Sequence, residues 1–172
     1  KHSNSYFGYF WFRNPWSYFH YDIRGHSWSM KFSKLYTGGT FDLFHFGHQN
    51  FLRQCRNLSD HVVVALNTDD FVEKFKNKKP ILNFNERKKS LLFSPFVDEI
   101  VKNEGGEDST KCILSVRPQI IAVGDDWLHK DYYKQMGFTQ QWMRDNGMEL
   151  LYLPYTKEIS SSEIRNRVLS NG

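Results

Sequence analysis

The sequence predicts an α/β fold in which helices cover both faces of a parallel sheet of about five strands. Residues 62–66 are continuously apolar, which is typical of a strand buried on both faces. Strand-like and helix-like segments alternate along the chain, as they do in parallel sheets built from right-handed crossovers. A glycine turn follows the first strand. Together these observations predict a Rossmann-like, doubly wound sheet.

The first half of the predicted domain contains three strands and three helices. Apolar periodicity places strands at 34–37, 62–66 and 96–101, and helices at 47–57, 70–75 and 84–93. Phe51, Leu52 and Cys55 share one face of the first helix, and Leu91 and Leu92 are expected to face the core.

The second half continues the alternation after a polar turn at 103–109. A helix at 111–116 ends before Pro118, and strands follow at 119–123 and 149–153. Between these strands, residues 129–145 form an inserted helical region that ends at Gly147. Ser160 and Glu163 have the spacing of a capping box, which predicts the start of the last helix.

The 172 residues suffice for one sizeable hydrophobic core, which we place in a single domain, residues 30–172. Residues 1–29 hold many aromatic and almost no aliphatic residues, and they show no regular periodicity. Because Met30 directly precedes the first strand, we interpret residues 1–29 as a leader of uncertain status, either upstream of the native start or part of a larger chain. An aromatic arm for a membrane surface or a partner is the alternative.

Composition narrows the function classes. The net charge of +4 suits a polyanionic small molecule and is too small to indicate nucleic-acid binding. Cys55 and Cys112 lack metal-binding spacing, so we expect buried free thiols and a reducing cytoplasm. The sequence has no apolar run of about 18 residues and no signal-peptide pattern, which predicts a cytoplasmic protein without a membrane span.

The stretch after the first strand has the chemistry of a phosphate site. Gly38 and Gly39 let backbone amides approach a ligand closely, and the positive end of the following helix favours an anion. His45 and His48 are three residues apart, so on a helix both point toward one phosphate chain. A helix cap, a metal half-site or a chance pairing are the alternatives, although no third ligand of suitable spacing lies beside the pair.

Two further segments are candidates for the same site. A basic loop precedes Pro80 and contains Lys74, Lys76, Lys78 and Lys79. The alternative is an ordinary solvated loop, which is what most such runs of lysines form. Residues 124–127, Gly-Asp-Asp-Trp, directly follow a strand, where a parallel sheet has its ligand crevice, although an ordinary capped turn is the alternative.

These motifs resemble those of a known family. Gly39-Thr40-Phe41-Asp42 and His45-Phe46-Gly47-His48 resemble the GTFD and HxGH signatures of the cytidylyltransferases, within the HxGH nucleotidyltransferases, and are most similar to the glycerol-3-phosphate cytidylyltransferases. Residues 97–100, 124–127 and 159–161 resemble the VDEV, GDDW and RTEGIST motifs of that family. The sequence departs from the family at Tyr155 and Pro95, where relatives have arginine, and the resemblance extends over roughly residues 34–168.

The resemblance implies transfer of a cytidylyl group from CTP to an alcohol phosphate such as glycerol 3-phosphate, with Mg²⁺ carried by the triphosphate and pyrophosphate released. The implied catalytic residues are His45, His48, Lys76 and Lys78. The implied nucleotide-binding residues are Gly39, Thr40, Phe41, Gly124, Asp126, Thr156, Ser160, Ser161 and Ser162. Asp42, Arg87 and Trp127 are implied to bind the acceptor, with Arg87 holding its phosphate. No metal ligands on the protein are expected, and a homodimer is among the expected assemblies.

Several alternatives remain at the level of the sequence. The first is another nucleotidyltransferase: an adenylyltransferase, or a cytidylyltransferase for phosphocholine, phosphoethanolamine or a sugar phosphate. The second is a catalytically inert nucleotide-binding module, which Tyr155 and Pro95 favour and the intact histidine pair opposes. A nucleic-acid binder is a poorer third, because no basic stripe accompanies the small net charge.

Overall fold

The computed structural model describes residues 31–104, 109–129 and 132–171, so the predicted leader at 1–29 lies outside the described residues. One five-stranded parallel sheet forms the centre of this part of the chain, in the order β3-β2-β1-β4-β5. The strands are β1 Leu35–Gly39, β2 Val62–Asn67, β3 Glu99–Asn103, β4 Ile120–Gly124 and β5 Glu149–Leu153. The predicted α/β, doubly wound Rossmann-like sheet is confirmed.

Helices connect the strands close to their predicted positions. They are α1 Phe46–Leu58, α2 Asp69–Lys76, α3 Phe84–Leu92, α4 Thr110–Val116, α5 Tyr132–Met136, α6 Gln140–Asp145 and α7 Ser161–Ser170, with a 3-10 turn at Asp125–His129. None of the helices in the described ranges is long and apolar enough to cross a membrane.

Two predictions in the α3–β3 region were wrong. Leu92 is 64% exposed while Leu91 is fully buried. Successive side chains on a helix point about 100° apart, so these neighbours do not share a face. The third strand begins at Glu99 rather than at residue 96, because Ser94 organises a turn there: its carbonyl accepts from the amide of Val97, and its hydroxyl accepts from the amide of Phe96.

The hydrophobic core lies on both faces of the sheet. Tyr36, Val63 and Ile121 pack on one face against residues of α4, α5 and α6. Leu35, Val62 and Val64 point to the opposite face, where residues of α1 and α3 cover them. This alternation along each strand is what a parallel sheet covered on both sides requires.

The two cysteines are free thiols, as predicted. Cys55 is fully buried, and burial raises the pKa of its thiol to about 12. Cys112 is only half-buried, and burial raises its pKa as well.

The order of the strands determines where a ligand binds. β1 lies between β2 and β4, so the chain leaves β1 toward one side of the sheet and later returns to form β4 on the other. The loops that follow β1 and β4 therefore diverge and leave a crevice at the carboxyl ends of these strands. The glycine turn at 38–39 and the turn that begins at Gly124 both lie at this crevice.

Candidate active site

The crevice contains two connected cavities. The large lobe has a volume of about 470 Å³ and the small lobe about 160 Å³. Both lobes are lined by Thr40, Phe41, His48, Val72 and Lys76, which therefore form the boundary between them. A molecule that occupies both lobes must pass beside His48 and Lys76.

The loop between β1 and α1 has an unusual backbone. Phe41 and Leu43 adopt left-handed φ angles of 50° and 51°, which cost a non-glycine residue about 1 kcal/mol or more. The turn brings the Phe41 ring so close to Gly39 that a Cβ atom there would lie 2.7 Å from the ring. The Phe41 ring also lies 5.1 Å from the ring of His48. The strained loop thus packs directly against the histidine pair.

The two histidines lie side by side at the start of α1. Their rings stack with centroids 3.8 Å apart, and the backbone amide of His45 donates a hydrogen bond to Nδ1 of His48 at 3.4 Å. Because Nδ1 of His48 accepts this bond, the proton of its neutral ring is on Nε2. Gly47 permits the arrangement, since a Cβ atom there would approach both the His45 ring and Ile159 to 3.1 Å.

Burial keeps both rings uncharged. It lowers the pKa of His48 to about 3, with smaller contributions from the repulsion that the two rings would exert if both were protonated and from the Lys76 ammonium group. Burial also lowers the pKa of His45. At neutral pH His48 therefore offers an N–H donor from a ring that carries no charge.

Lys76 and the basic loop form one side of the small lobe. Lys76 ends α2, and its ammonium group donates to the hydroxyl of Thr40 at 3.2 Å. The left-handed Asn77 ends the helix, and Lys78 and Lys79 continue along the small lobe.

Asp42 anchors the end of this loop. Its carboxylate accepts hydrogen bonds from the amides of Ile81 and Leu82 at 2.8 and 2.9 Å. Asp42 lines the small lobe and is only 8% exposed. Its side chain thus joins the loop after β1 to the basic loop, so that the lysines are held beside the histidines.

The first turn of α7 forms the other side of the small lobe. The hydroxyl of Ser160 accepts from the amide of Glu163 at 3.1 Å, which confirms the predicted helix start. The hydroxyl of Ser161 donates to the carbonyl of Asp42 at 2.7 Å and attaches the helix to the loop after β1. Ser161, Ser162 and Arg165 line the lobe from this side.

Aromatic residues dominate the large lobe. Trp127 packs edge-on against Tyr132 with ring centroids 5.4 Å apart, and Phe71 and Tyr155 also line the cavity. Gly124 lies so close to Asp126 that a Cβ atom there would be 2.5 Å from its carboxylate. The lobe therefore offers flat apolar surfaces beside one carboxylate, a combination suited to a nucleoside.

Arg87 occupies a different position from the one predicted. It is fully buried, and its guanidinium donates to four carbonyl or carboxylate groups, those of Thr40, Asn67, Asp69 and Leu82. The bond to the Asp69 carboxylate is 2.6 Å long and forms an ion pair. A contact with an acceptor phosphate would require these bonds to break, so the geometry gives Arg87 the role of joining the segments behind the cleft.

The other predicted site residues fall into two groups. Those that line the cleft are Gly39, Thr40, Phe41, Asp42, His45, His48, Lys76, Lys78, Gly124, Asp126, Trp127, Ser161 and Ser162. Thr156 and Ser160 do not line either lobe. The hydroxyl of Thr156 instead accepts a hydrogen bond from Asn50, and that of Ser160 caps α7.

Sequence reasoning missed several lining residues. Arg165 follows Ser161 by one helical turn, and this spacing was the available signal for it. Tyr132 and Phe71 lie in segments without a recognisable motif, and nothing in their local sequence indicates a ligand.

Comparison with known proteins agrees with this geometry. A family model described as cytidylyltransferase-like matches residues 36–167. Glycerol-3-phosphate cytidylyltransferase of Bacillus subtilis is 33% identical over 136 residues, which are 78% of this chain and 96% of the relative. Ethanolamine-phosphate cytidylyltransferase of Dictyostelium discoideum is 33% identical over 79% of this chain and 36% of its own length. FAD synthase of Thermococcus sibiricus is 39% identical over 54% of this chain and 63% of its own.

A solved structure shares the fold. The lipopolysaccharide core biosynthesis protein of Thermoplasma volcanium superposes with a TM-score of 0.58 at 23% identity, over 74% of this chain and 99% of the other. The agreement of the family model, the relatives and the histidine-lined crevice leads to one conclusion. The chain belongs to the cytidylyltransferase-like family.

Proposed function

We propose that the protein transfers a cytidylyl group from CTP to an alcohol phosphate, with glycerol 3-phosphate as the preferred acceptor, and releases pyrophosphate. The observation that carries the proposal is the position of His48 and Lys76 at the boundary between an aromatic lobe and a basic lobe. A nucleoside triphosphate with its base in the large lobe and its terminal phosphates in the small lobe has its α-phosphate at this boundary.

The reaction is a direct displacement at phosphorus. A phosphate oxygen of the acceptor attacks the α-phosphorus of CTP and forms a new P–O bond. The bond from the α-phosphorus to the bridging oxygen breaks, and its electron pair leaves with pyrophosphate. The acceptor phosphate is the nucleophile, and we propose none from the protein. The protein acts by aligning the two substrates and by stabilising the charge that develops in the transition state.

The histidines and Lys76 stabilise the charge that develops at the α-phosphate. Nε2–H of His48 donates to an oxygen of the α-phosphate or of the breaking bond, while the ring remains neutral. Lys76 adds a positive charge beside it, held in place by the hydroxyl of Thr40. A neutral donor and a cation together stabilise the transition state without a proton transfer.

The two lobes hold the remaining parts of the substrates. Lys78 and the start of α7 favour the terminal phosphates in the small lobe through their positive charge and helix dipole. Trp127 and Asp126 bound the large lobe, where the ribose and the acceptor lie. In this proposal the leaving group and the acceptor lie on opposite sides of the α-phosphorus, as in-line displacement requires.

Mg²⁺ fits the site as an ion carried by the nucleotide. The residues that the structure describes include no group of three or more His, Cys, Asp or Glu side chains that could hold a metal. Mg²⁺ binds phosphate oxygens well and keeps several of its waters, so the triphosphate itself provides its ligands. When bound, the ion neutralises part of the triphosphate charge.

A panel of substrates tests the proposal. Purified chain is incubated with Mg²⁺, with CTP or ATP, and with glycerol 3-phosphate, phosphoethanolamine or phosphocholine, and pyrophosphate release is measured. The proposal predicts the fastest release with CTP and glycerol 3-phosphate together, and none without an acceptor. Faster release with ATP would make the protein an adenylyltransferase, and silence across the panel would favour an inert nucleotide-binding module.

We also propose that the protein is a homodimer and that it is cytoplasmic. The free thiols of Cys55 and Cys112 are suited to a reducing compartment. Size-exclusion chromatography with light scattering tests the dimer, and cell fractionation tests the compartment.

A further inference from the structure

Two asparagines end neighbouring strands at the large lobe. Asn67 is the last residue of β2 and Asn103 the last of β3, and the two are partners in the parallel ladder. Both line the lobe. Because alternate residues of a strand share a face, Asn67 lies on the same face as Val63 and Ala65, the face covered by α4, α5 and α6. The asparagines therefore form a polar end to an otherwise apolar face of the sheet.

The two side chains are bonded to each other. Nδ2 of Asn103 donates to Oδ1 of Asn67 at 2.8 Å. Asn103 is only 2% exposed, so this bond is shielded from solvent and fixes the amide of the half-buried Asn67. Since the carbonyl of Asn67 is turned to Asn103, its Nδ2 group lies on the other side of the amide, and no residue in the described ranges accepts from it. The pair therefore presents N–H donors to the lobe.

The nearest strand ends carry no negative charge into this part of the lobe. Among the described residues that line the large lobe, Asp126 is the one carboxylate, and it follows β4. Because β1 lies between β2 and β4, the ends of these two strands are about 10 Å apart, which is two strand spacings. A ligand group beside Asn67 therefore meets amide donors rather than a carboxylate.

Such a wall discriminates among alcohol phosphates by the chemistry of their far end. A hydroxyl group can accept a hydrogen bond as well as donate one, so it pairs with Nδ2 of Asn67. A primary ammonium group has donors only, and a trimethylammonium group has neither donors nor acceptors. Either cation would leave the amide unpaired and find no counter-charge beside it.

The pair is within reach of the reacting phosphates. β2 is the direct neighbour of β1, and Gly39 is the ladder partner of Leu66, the residue before Asn67. Neighbouring strands are about 5 Å apart, a distance that a three-carbon acceptor can span when its phosphate lies beside the glycine turn and His48.

We propose that Asn67 selects a hydroxyl-bearing acceptor, a polyol phosphate such as glycerol 3-phosphate, against acceptors that end in an ammonium group. Nδ2 of Asn67 donates to a hydroxyl oxygen of the acceptor, and Asn103 is a positioning residue that fixes the amide. The inference rests on the proposed function for the presence of an alcohol phosphate in the large lobe, and it adds the residue that chooses among such phosphates.

The test measures acceptor binding by isothermal titration calorimetry. The full chain is saturated with α,β-methylene CTP, which cannot be cleaved at the reacting bond, and is titrated with glycerol 3-phosphate or with phosphoethanolamine. The ratio of the two affinities is compared among the wild type, Asn67→Asp, Asn103→Ala and Asn57→Asp. Asn57→Asp is the control, because it makes the same exchange at an exposed position in α1.

We expect the wild type to bind glycerol 3-phosphate at least about tenfold more tightly than phosphoethanolamine. Asn67→Asp replaces the amide donors with a carboxylate and should lower this ratio by about tenfold or more, through tighter binding of phosphoethanolamine. Asn103→Ala lets the amide of Asn67 rotate and should lower the ratio by less, through weaker binding of glycerol 3-phosphate. Asn57→Asp should leave the ratio unchanged.

The outcomes separate this inference from the proposed function. Binding is measured without turnover, so an inactive wild-type chain would overturn the proposed function and leave the comparison interpretable. If the CTP analogue does not bind, the proposed nucleotide is wrong, and α,β-methylene ATP takes its place in the same titrations.

A wild type that fails to prefer glycerol 3-phosphate would overturn the inference. So would an unchanged ratio in Asn67→Asp, or an equal loss of both acceptors, which would indicate a general structural effect. If Asn67→Asp fails to fold, the shorter side chain of Asn67→Ser decides: glycerol 3-phosphate must bind about tenfold more weakly while the affinity for phosphoethanolamine is unchanged.

Discussion

The backbone amide of His45 donates a hydrogen bond to Nδ1 of His48, and the two rings stack above the strained loop that follows β1. This relationship determines the chemistry of His48. It places the ring proton on Nε2, and burial keeps the ring neutral by lowering its pKa to about 3. A histidine held in this way donates a hydrogen bond to phosphate without a change in its own charge.

The lowered pKa of His48 predicts a loss of stability in acid. In the unfolded chain His48 binds a proton near its ordinary pKa of 6.5, whereas the folded chain keeps the ring neutral down to about 3. Between these values the unfolded state binds more protons, so the free energy of unfolding decreases as the pH falls. Urea denaturation of the nucleotide-free protein at pH 7.5 and pH 5.0 measures this decrease.

The control for this prediction is His48→Asn, which removes the titrating group. We expect its free energy of unfolding to decrease less between the two pH values than that of the wild type. Equal decreases would contradict the assignment of a neutral, buried His48.

The lysines of the small lobe predict an effect on nucleotide affinity. Lys78→Ala removes a positive charge from the lobe assigned to the terminal phosphates. We expect the KM for CTP to rise by about tenfold with a smaller change in kcat, while Lys76→Ala lowers kcat as well because Lys76 lies beside the α-phosphate. Lys89→Ala, at an exposed position in α3, is the control for nonspecific charge effects. If both lobe variants keep wild-type kinetics, the basic loop is merely solvated.

The buried position of Arg87 predicts that its replacement lowers the stability of the fold rather than the affinity for the acceptor. Arg87→Gln leaves the Asp69 carboxylate without its ion pair and several carbonyls without donors. Because the guanidinium is buried while the Asp69 side chain is 36% exposed, we expect the free energy of unfolding to fall by about 1–3 kcal/mol, mainly from the unpaired carbonyls, and urea denaturation measures this loss. The matched control is Lys88→Gln, one residue later and exposed. A stable Arg87→Gln protein with a raised KM for glycerol 3-phosphate would restore the acceptor-binding role that the sequence predicted.

Because Asp42 holds the basic loop in place, we expect its replacement to affect both stability and nucleotide affinity. Asp42→Asn removes the charge that attracts the amides of Ile81 and Leu82. We expect the free energy of unfolding to fall by about 1–3 kcal/mol and the KM for CTP to rise more than the KM for the acceptor. Asp60→Asn, at an exposed position before β2, is the control. A rise confined to the acceptor KM would mean that Asp42 contacts the acceptor directly.

The sequence predicted the sheet and most of the cleft because both depend on local patterns. Each of these patterns can be recognised within a few residues of sequence: the apolar run at 62–66, the glycines at 38–39, and the pair His45 and His48. Parallel topology then brings the ends of β1 and β4 together without further information.

The remaining features depend on contacts between distant residues. Arg87 is buried because the backbone carbonyls of Thr40, Asn67 and Leu82 accept its hydrogen bonds. The positions of backbone acceptors in the fold cannot be inferred from the sequence. The position of the basic loop beside the histidines depends on Asp42, whose partners Ile81 and Leu82 lie about 40 residues away along the chain. For the same reason Arg165 was missed, since its contacts to Lys79 and Asp42 arise only in the folded protein.

The most direct test of the central claim is the turnover of His48→Ala in the synthesis of CDP-glycerol from CTP and glycerol 3-phosphate. His61→Ala is the control, because His61 pairs with Glu99 at the opposite end of the sheet. We predict that His48→Ala lowers kcat by at least about 100-fold while His61→Ala remains close to the wild type, as expected for the loss of one preorganised donor. Synthesis of CDP-glycerol by His48→Ala at the wild-type rate would contradict the proposed role of the histidine pair.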